Sequence, residues 1–521
     1  MMRRLPVTLA CLLGVLLLAE SVHAPRTGSP DAYQYLDVTA NLAAGLGLVQ
    51  SVPGYNSPRF PAEPRWPAPF TSQPPGYPWL ASQLVRAGME PTRALCALSS
   101  AGLALTWLVG AALAAVLWGA EAGMLALLGL ALTAVSGTLT NRIWSDPLGI
   151  ALALASLFAL LRGTRPGAAA LRWALLSGVL AAAACLNRYV LGLLIPFGAL
   201  WWIGTGRSGE RWRPALLHAT SGALIVLPLL IRNRALAGGW FGEPRNPSTQ
   251  ALGGFMANAI HMTWGRLPAA LQLALVLGVP ALAFATWRSR ARRERTLEAL
   301  AAGGGLLPLW GLLYAIVLLA LRLQIHFDDV GVRLLAPSLV AGALTLAGLA
   351  ARWLSLPRAV LAGAASLGLV LALGLVGQRV SSSMRAPVHR ERSAFLTWLA
   401  AEAAPGTVVV AEDAVDLAWE FRHEPGPPRR FLSFSPAPYM RPLEHDDLRR
   451  LAALIVRPEG PPLRIIVRGE AADSSDWRAR YGDLVASAIA GRVPAGEGLV
   501  LEQVVSGRHV LRWQGAGATL P

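Results

Sequence analysis

Several aspartate and arginine residues lie at the ends of long apolar stretches, where a charged side chain is energetically costly unless it has a partner or a function. A charge at the centre of a bilayer costs about 2.5–3.5 kcal/mol even on a lenient insertion scale. Asp31 follows the first apolar stretch, and four further charges stand where one stretch ends or the next begins: Asp146, Arg188, Arg232 and Arg333. A carboxylate can act as a general base, whereas the planar guanidinium of arginine holds phosphate oxygens through paired hydrogen bonds. This combination favours chemistry on an anionic group carried by a lipid.

Each of these residues also has a purely structural explanation. Asp31 can cap the helix that follows it, because aspartate accepts hydrogen bonds from the free N–H groups of a helix start. Asp146 can pair with Arg142, and Arg232 or Arg234 can lie at the membrane surface with its charged end in water. The group as a whole favours a chemical role, since the topology described below places all of these residues at one face of the membrane.

The composition is that of a polytopic membrane protein. Of the 521 residues, 54% are hydrophobic and 15% are charged, and apolar stretches long enough to cross a bilayer recur through the first three quarters of the chain. The net charge of +16 comes from arginine alone. The arginines recur in short clusters between apolar stretches, a pattern that argues against a nucleic-acid partner and indicates orientation in the membrane. Each of the 3 cysteines lies within an apolar stretch, so no disulfide framework is expected.

The apolar stretches predict about eleven transmembrane helices. They lie near 5–20, 94–118, 122–138, 147–161, 172–187, 189–205, 215–232, 267–287, 300–321, 334–351 and 357–377. With a cytoplasmic N-terminus, the arginine clusters that follow 161, 205, 287 and 351 fall on inward loops, as the positive-inside rule requires. The same parity predicts a multi-pass protein of the cell membrane (inner or plasma), with its active site and its C-terminal part extracytoplasmic.

The N-terminal stretch has a second interpretation as a signal peptide. Two arginines precede the apolar residues 5–19, and residues 22–24 have side chains typical of a cleavage site. Pro25 disfavours cleavage there, and the parity of the spans holds only if this segment is kept. We therefore expect an uncleaved first helix.

The outer loop, residues 21–93, is predicted to contain amphipathic juxtamembrane helices and proline-rich turns. Apolar side chains recur at steps of three and four, at Tyr35, Val38, Leu42 and Leu46. The spacing predicts a helix from Ala32 towards Gly45 that lies on the membrane surface, with an ordinary packed helix as the alternative. The proline-rich segments 61–69 and 73–79 are expected to be extended or turning, because proline fixes φ and lacks an N–H donor.

From about residue 381 the composition becomes that of a soluble α/β domain. Strands are predicted at 408–410, 431–434, 463–467, 500–504 and 509–513, and helices at 394–403, 415–421 and 446–456. The segment has no glycine-rich phosphate loop and no nucleophile motif. We therefore divide the chain into a transmembrane catalytic part, 1–380, and an accessory extracytoplasmic domain, 381–521.

Five motifs follow one another in the transmembrane part. They are Asp31 with Tyr35, Leu42, Gly45 and Gly47, then Pro74-Pro75-Gly76-Tyr77-Pro78, then Ser145-Asp146-Pro147-Leu148, then Arg232-Asn233, and then Asp329 with Arg333 and Pro337. In this order they resemble the GT-C integral membrane glycosyltransferases, and within them the family 39 group of protein O-mannosyltransferases and aminoarabinose transferases. The similarity covers residues 1 to about 380.

The resemblance implies a sugar donor joined through phosphate to a polyprenol, and a catalytic carboxylate in the first outer loop, here Asp31. Our hypothesis is an inverting transfer in which Asp31 accepts the proton of an acceptor hydroxyl on a glycan, lipid or protein. Ala32 follows Asp31 where the family commonly has a second acid. Asp37 and Asp146 are the candidates for that second acidic role.

The remaining substrate contacts are assigned to residues of the same motifs and apolar junctions. Donor phosphate or substrate binding is predicted for Arg188, Arg232, Arg333, Tyr35, Tyr77 and Asp146. The sequence fixes no cofactor, and a divalent metal is one option, because carboxylates and imidazole can ligate such ions. Asp146, His326 and Asp329 are the candidate metal ligands.

A transporter or flippase of an anionic lipid-linked substrate is the main alternative function. It would also need charged groups in a membrane cavity. Such a protein predicts internal repeats and charges near the midplane of the bilayer. The sequence shows no convincing repeat, and its candidate residues cluster towards one face, so the transferase is preferred.

Overall fold

The computed structural model describes most of the transmembrane part and the strands of the C-terminal part. The described residues are 15, 30–53, 64–132, 143–164, 169–205, 211–242, 288, 290–299, 305–325, 332–353, 394–402, 407–411, 413–422, 429–433, 463–468, 483–489, 498–505 and 508–514. Four predicted helices fall outside these residues, apart from the single residue 15. They are the spans near 5–20, 267–287 and 357–377, and the helix 446–456.

Within the first 380 residues, the described elements are helices and one short two-stranded ribbon. In chain order the elements are α1 Pro30–Ala43, β1 Val49–Gln50, β2 Ala68–Pro69, α2 Gly76–Arg86, α3 Pro91–Trp118, α4 Ala120–Leu132, α5 Asp146–Gly163, α6 Ala170–Cys185, a 3-10 turn Tyr189–Leu193, α7 Leu194–Thr205, α8 Trp212–Ala237, α9 Arg290–Ala299, α10 Leu306–Gln324 and α11 Val332–Trp353. Among the described residues, five helices are long and apolar enough to cross a membrane, namely α3, α5, α8, α10 and α11, and three shorter apolar helices accompany them. The chain is thus a multi-pass membrane protein, and the count of about eleven spans stays a prediction.

Helix α1 occupies the predicted position but is packed more fully than a surface helix would be. It begins at Pro30, so Asp31 lies inside its first turn and is not its cap. Gly45 and Gly47 follow its end with φ of 79° and 86°, a left-handed conformation that glycine adopts without steric cost. Tyr35 and Leu36 are almost fully buried, and the interpretation as a packed helix is therefore the better one.

The proline-rich part of the outer loop is more regular than its composition predicts. Ala68–Pro69 pairs antiparallel with Val49–Gln50. Helix α2 begins at Gly76, so that Tyr77 and Pro78 lie in its first turn. A first turn tolerates proline because its N–H groups have no partner within the helix, which is why the expectation of an extended or turning segment is wrong for residues 76–79.

Helix α3 carries the polar positions that hold the start of α5. The Glu90 carboxylate caps α3 by accepting hydrogen bonds from the backbone N–H groups of Thr92 and Arg93, both at 2.9 Å. The Ser99 hydroxyl contacts both the N–H and the carbonyl of Trp144, at 3.1 and 2.9 Å. One and two turns further on, Gly102 and Thr106 continue the same face of α3.

The contact between α3 and α5 depends on glycine at position 102. A Cβ atom there would lie 2.4 Å from the backbone nitrogen of Leu148, so the two backbones could not approach as they do. The Thr106 hydroxyl also lies 3.2 Å from the carbonyl oxygen of Pro147. The first turn of α5, which includes Asp146, is therefore fixed by the backbone and small side chains of α3.

Replacing Gly102 with alanine is expected to destabilise the protein. The added methyl group must separate α3 from α5, and overpacking of this kind costs about 1–3 kcal/mol. The Tm of the detergent-solubilised protein should fall. Gly129→Ala in α4 is the matched control, since a Cβ at Gly129 meets nothing within 4 Å; an equal Tm for both variants would contradict the role assigned to Gly102.

The described residues of the C-terminal part form a five-stranded mixed sheet with helices. Its elements are α12 Ala394–Glu402, β3 Val408–Ala411, α13 Ala414–Glu420, β4 Arg430–Ser433, β5 Arg464–Arg468, α14 Asp483–Ile489, β6 Gly498–Val505 and β7 Arg508–Gln514. The strand order is β4-β3-β5-β7-β6, with β3 parallel to both β4 and β5 and with β7 antiparallel to β5 and β6. All five predicted strands and the two predicted helices within the described residues are confirmed. The division into two domains stays a prediction.

Candidate active site

Four charged side chains from four separate elements form one ion-pair network. The Arg333 guanidinium bridges two carboxylates, with its Nη2 atom 3.1 Å from Asp31 Oδ2 and its Nε atom 3.1 Å from Asp146 Oδ2. The other oxygen of Asp146 accepts a short hydrogen bond from Arg188. The structure therefore brings together Asp31, Asp146, Arg188 and Arg333, which are separated by up to 302 positions in the chain.

The network is buried at one end and partly open at the other. The Asp146 side chain is only 1% exposed, whereas the exposed fraction is 20% for Asp31 and Arg333 and 17% for Arg188. Two arginines neutralise two carboxylates, which is the condition for charges to be tolerated away from water. Asp31, Arg188 and Arg333 are therefore the partly exposed members of the network, and Asp146 is its buried member.

Asp31 is held by one neutral and one charged donor. Gln73 Nε2 donates to Asp31 Oδ1 at 3.0 Å, and Arg333 donates to Oδ2. Gln73 and Arg333 thus contact different oxygens of the carboxylate. Gln73 was not among the predicted site residues, although it directly precedes the Pro74-Pro75-Gly76-Tyr77-Pro78 motif.

Arg333 and Arg188 are positioned by their immediate surroundings. The Arg333 guanidinium stacks over the Trp144 ring at 3.5 Å from the centroid, a cation–π contact that orients the planar group. Arg188 has an extended backbone, φ −153° and ψ 116°, between α6 and the 3-10 turn, so its side chain leaves at a break between helices.

The glycine of the proline-rich motif lies beside this break. The Gly76 N–H donates to the carbonyl oxygen of Leu186 at 2.7 Å. A Cβ at position 76 would lie 2.6 Å from that same oxygen, and such a contact has no room for a side chain. The motif thus fixes the start of α2 against the end of α6, two residues before Arg188.

The two tyrosines of the predicted site support the network from the protein side. The Tyr35 hydroxyl lies 3.1 Å from Ser145 Oγ, next to Asp146, and the Tyr35 and Tyr77 rings pack edge to face at 5.1 Å between centroids. The Tyr77 hydroxyl donates to the Leu95 carbonyl at 2.6 Å. Burial raises the pKa of both phenols, so both stay protonated. Their burial favours a supporting role over direct contact with a substrate.

Arg232 is used differently from the other predicted arginines. Its Nη1 atom donates to the Phe70 carbonyl and its Nη2 atom to the Leu48 carbonyl, both at 2.9 Å. These carbonyls flank the β1–β2 ribbon, so the guanidinium fastens the ribbon to the end of α8. Among the described contacts of Arg232, none is with the network of Asp31 and Asp146.

Arg232→Lys is expected to loosen the outer loop without weakening donor binding. A lysine ammonium cannot span two carbonyls as the arginine fork does, and hydrogen bonds to charged groups contribute about 1.5–3 kcal/mol each. Tm should fall and residues 48–70 should become more sensitive to protease, with an unchanged KM for the donor. Arg234→Lys, two residues along the same helix end, is the control. A raised KM at constant Tm would instead support the predicted contact with phosphate.

Of the two candidates for a second acidic residue, only Asp146 belongs to the network. Asp37 faces away from it and accepts hydrogen bonds from the Ser51 N–H at 2.5 Å, the Ser51 hydroxyl at 2.6 Å and Arg422 at 2.9 Å. Burial raises the pKa of Asp37, while the hydrogen bonds from Ser51 and Arg422 oppose that increase. Asp37 therefore makes structural contacts.

The metal hypothesis rests on residues outside the described ranges. His326 and Asp329 are not described, and neither is Arg142, the alternative partner of Asp146. In the described part of the chain, no three His, Cys, Asp or Glu side chains are grouped so that they could hold a metal ion. Asp146 is instead paired with Arg188 and Arg333.

Comparison with known proteins gives one family match and several structural matches. The profile of the family described as dolichyl-phosphate-mannose-protein mannosyltransferase matches residues 72–232. ArnT from Cupriavidus metallidurans is 15% identical over 97% of both chains, with a TM-score of 0.57 in the apo state and 0.58 when bound to undecaprenyl phosphate. The apo oligosaccharyltransferase of Archaeoglobus fulgidus is 12% identical over 95% of this chain and 73% of its own, with a TM-score of 0.51. No curated protein sequence matches.

These matches cover the elements that build the network. The family profile, residues 72–232, includes Asp146 and Arg188, and the likeness to ArnT covers 97% of the chain. The chain therefore has the fold of these membrane proteins, as the order of its motifs predicted.

Proposed function

We propose that this chain, a membrane protein with the fold of the GT-C glycosyltransferases, transfers a sugar from a polyprenyl phosphate carrier to an acceptor hydroxyl on the extracytoplasmic side. The observation that carries the proposal is the network in which Arg333 joins Asp31 to Asp146 and Asp146 joins Arg333 to Arg188. It combines a candidate base with two fixed cations, which is what attack on a phosphate-linked sugar requires.

The reaction forms one bond and breaks one bond at the anomeric carbon. The acceptor oxygen attacks this carbon, the bond from the carbon to the phosphate oxygen breaks, and polyprenyl phosphate leaves with the bonding electrons. Asp31 accepts the acceptor's proton as the new bond forms. Attack opposite the leaving group inverts the configuration. Of the four network residues, Asp31 is suited to the proton transfer because its carboxylate is partly exposed, whereas that of Asp146 is buried.

Arg188 and Arg333 would stabilise the charge that develops on the leaving phosphate. They are fixed before the reaction by Asp146 and, for Arg333, by the Trp144 ring, so little reorganisation is needed when charge develops. ArnT from Cupriavidus metallidurans has been solved with undecaprenyl phosphate, which supports a polyprenyl phosphate as the carrier here. Tyr35, Tyr77 and Arg232 would act by positioning the site.

A carboxylate is a weak base, so the rate would depend on geometry. Holding two reacting groups in the correct orientation can supply about 7–11 kcal/mol of the barrier. Asp31 lies on a buried helix and is held by Gln73 and Arg333, which gives the carboxylate a fixed position.

The test is sugar transfer by the purified protein in proteoliposomes. Radiolabelled sugars on polyprenyl phosphate are supplied from outside together with an extract of envelope acceptors, and label in acceptor and release of polyprenyl phosphate are measured. The proposal predicts that the labelled sugar in the acceptor and the released polyprenyl phosphate appear in equal molar amounts. Movement of labelled lipid across the bilayer without release of polyprenyl phosphate would support the transporter. Mass spectrometry of envelope glycans and glycoproteins from cells with and without the protein would then identify the sugar by the mass lost.

A further inference from the structure

We infer that Arg422, in the C-terminal part, is a positioning residue for Asp31 and acts through Asp37 and Asn41 of helix α1. The inference rests on the proposed function, because it concerns the helix that presents the proposed base. Its geometry connects elements that are more than 380 positions apart in the chain.

The Arg422 guanidinium binds two successive turns of α1. Its Nη1 atom lies 2.9 Å from Asp37 Oδ1, and its Nη2 atom lies 3.0 Å from Asn41 Oδ1. Residues four apart on a helix face the same side, so one planar fork can hold both. The side chains of Asp37 and Arg422 are only 6% and 24% exposed, which places this ion pair well inside the protein.

The outer loop joins the same contact from a third direction. Ser51 donates to both oxygens of Asp37, and Asn41 Nδ2 donates to the carbonyl of Val49 at 3.2 Å. Asp37 is thus the point at which α1, the loop after β1 and the C-terminal part meet. We call this group, Asp37 with Asn41, Ser51 and Arg422, the α1 clasp.

Apolar and backbone contacts extend the attachment beyond the clasp. Trp419 of α13 packs against the buried cluster that contains Tyr35 of α1, and Val52 of the outer loop is buried among residues of the C-terminal sheet. The Ser433 N–H donates to the Pro53 carbonyl at 3.0 Å, and Trp66 Nε1 donates to the Phe431 carbonyl at 2.9 Å. Both bonds connect the outer loop to β4, an edge strand of the sheet.

The clasp and Asp31 lie on different faces of one rigid helix. Asp37 lies six positions after Asp31, which corresponds to about 9 Å along the helix axis and about 240° around it. The face with Asp31 meets Arg333 and Gln73, whereas the face with Asp37 meets Arg422. A change of tilt at the clasp would therefore displace Asp31 from its partners, and a displacement of about 1 Å can reduce a catalytic rate about a hundredfold.

The experiment compares four variants of the full-length protein in proteoliposomes. They are Arg422→Gln, Arg422→Lys, Asn41→Ala and, as a matched control, Arg512→Gln on β7, where Arg512 is exposed. We expect Arg422→Gln to lower kcat about 10- to 100-fold with donor KM changed less than about threefold, and Arg422→Lys to recover part of kcat. Asn41→Ala should lower kcat less, and Arg512→Gln should keep it.

Hydrogen exchange of residues 30–43 gives a second readout that does not require activity. Arg422→Gln should accelerate exchange in α1 while the strands β3 and β5 keep their protection. A kcat within about threefold of wild type, with α1 exchange unchanged, overturns the inference. If Arg422→Gln does not fold, Asn41→Ala decides by the same two measurements. It removes the contact with Arg422 Nη2, together with the Asn41 hydrogen bond to Val49, and leaves the buried ion pair of Asp37 and Arg422. Lack of transfer by the wild-type protein would instead refute the proposed function, while the exchange measurement would still test the clasp.

Discussion

Replacing Asp31 with asparagine is expected to reduce kcat about 10²- to 10⁴-fold, the usual contribution of a general base. The amide has nearly the shape of the carboxylate, and its oxygen can still accept a hydrogen bond from Gln73 or Arg333. It cannot accept a proton from the acceptor hydroxyl at neutral pH. Donor KM should therefore change much less than kcat, which is the pattern of an interaction needed in the transition state.

The measurement is initial-rate transfer of labelled sugar from polyprenyl phosphate at several donor concentrations. Glu294→Gln is the matched control, because Glu294 is 54% exposed on α9 and forms a surface pair with Arg290. That variant should retain the wild-type rate, since exposed helical pairs contribute only about 0.3–0.5 kcal/mol. Full activity of a correctly folded Asp31→Asn protein would remove Asp31 from the role of base and leave the arginines as the main catalytic feature.

The charged network could be predicted because charge is costly near a membrane. Asp146, Arg188 and Arg333 stand out in the sequence as charged residues at the ends of apolar stretches, and the positive-inside rule places them on the same side as Asp31. The structure brings these four side chains into one network. Their individual pairs were not predictable, since spacing in the sequence does not determine which arginine meets which carboxylate.

The described contacts of Arg232 could not be predicted in this way, and its contact with the donor phosphate stays a prediction. Its position resembles that of the other arginines, but its partners are the carbonyl oxygens of Leu48 and Phe70. Every residue has a backbone carbonyl, so a contact of this kind leaves no signal in the side-chain pattern. Gln73 was missed for a related reason, because an amide in a proline-rich loop has no special spacing. The neighbouring motif Pro74-Pro75-Gly76-Tyr77-Pro78 partly indicates that this segment belongs to the site, since Gly76 allows the close approach to Leu186.

The α1 clasp could not be predicted from the sequence either. Periodicity correctly predicts a helix after Asp31, but it cannot tell whether lipid or protein covers the polar face with Asp37 and Asn41. The contact with Arg422 joins α1 to a part of the chain that is more than 380 positions away. Short alternating runs suffice to predict the strands of that part, whereas the surface they cover depends on tertiary packing.

Arg333→Lys is expected to lower kcat/KM about 10²- to 10³-fold, the loss typical of one preorganised contact to developing charge. Arg333 uses its Nε atom for Asp146 and its Nη2 atom for Asp31, and its flat face lies on Trp144. A lysine keeps the positive charge but is a single point, so it can pair with one carboxylate and cannot stack in the same way. The other carboxylate would lose its partner, and the position of Asp31 would be less defined.

The comparison with Arg290→Lys isolates geometry from charge. Arg290 is 85% exposed and pairs with Glu294 at the surface of α9, so the same substitution there should leave both kcat and KM unchanged.

If Arg333 acts on the leaving phosphate as well as on Asp31, the loss of kcat/KM in Arg333→Lys should be smaller for a donor with a better leaving group, because less charge then needs to be stabilised in the transition state. An equal loss for all donors would limit Arg333 to holding Asp31 and Asp146, and the stabilisation of the phosphate would then fall to Arg188. A variant as active as the wild type would show that charge alone suffices at this position and that the two-carboxylate bridge is not needed for transfer.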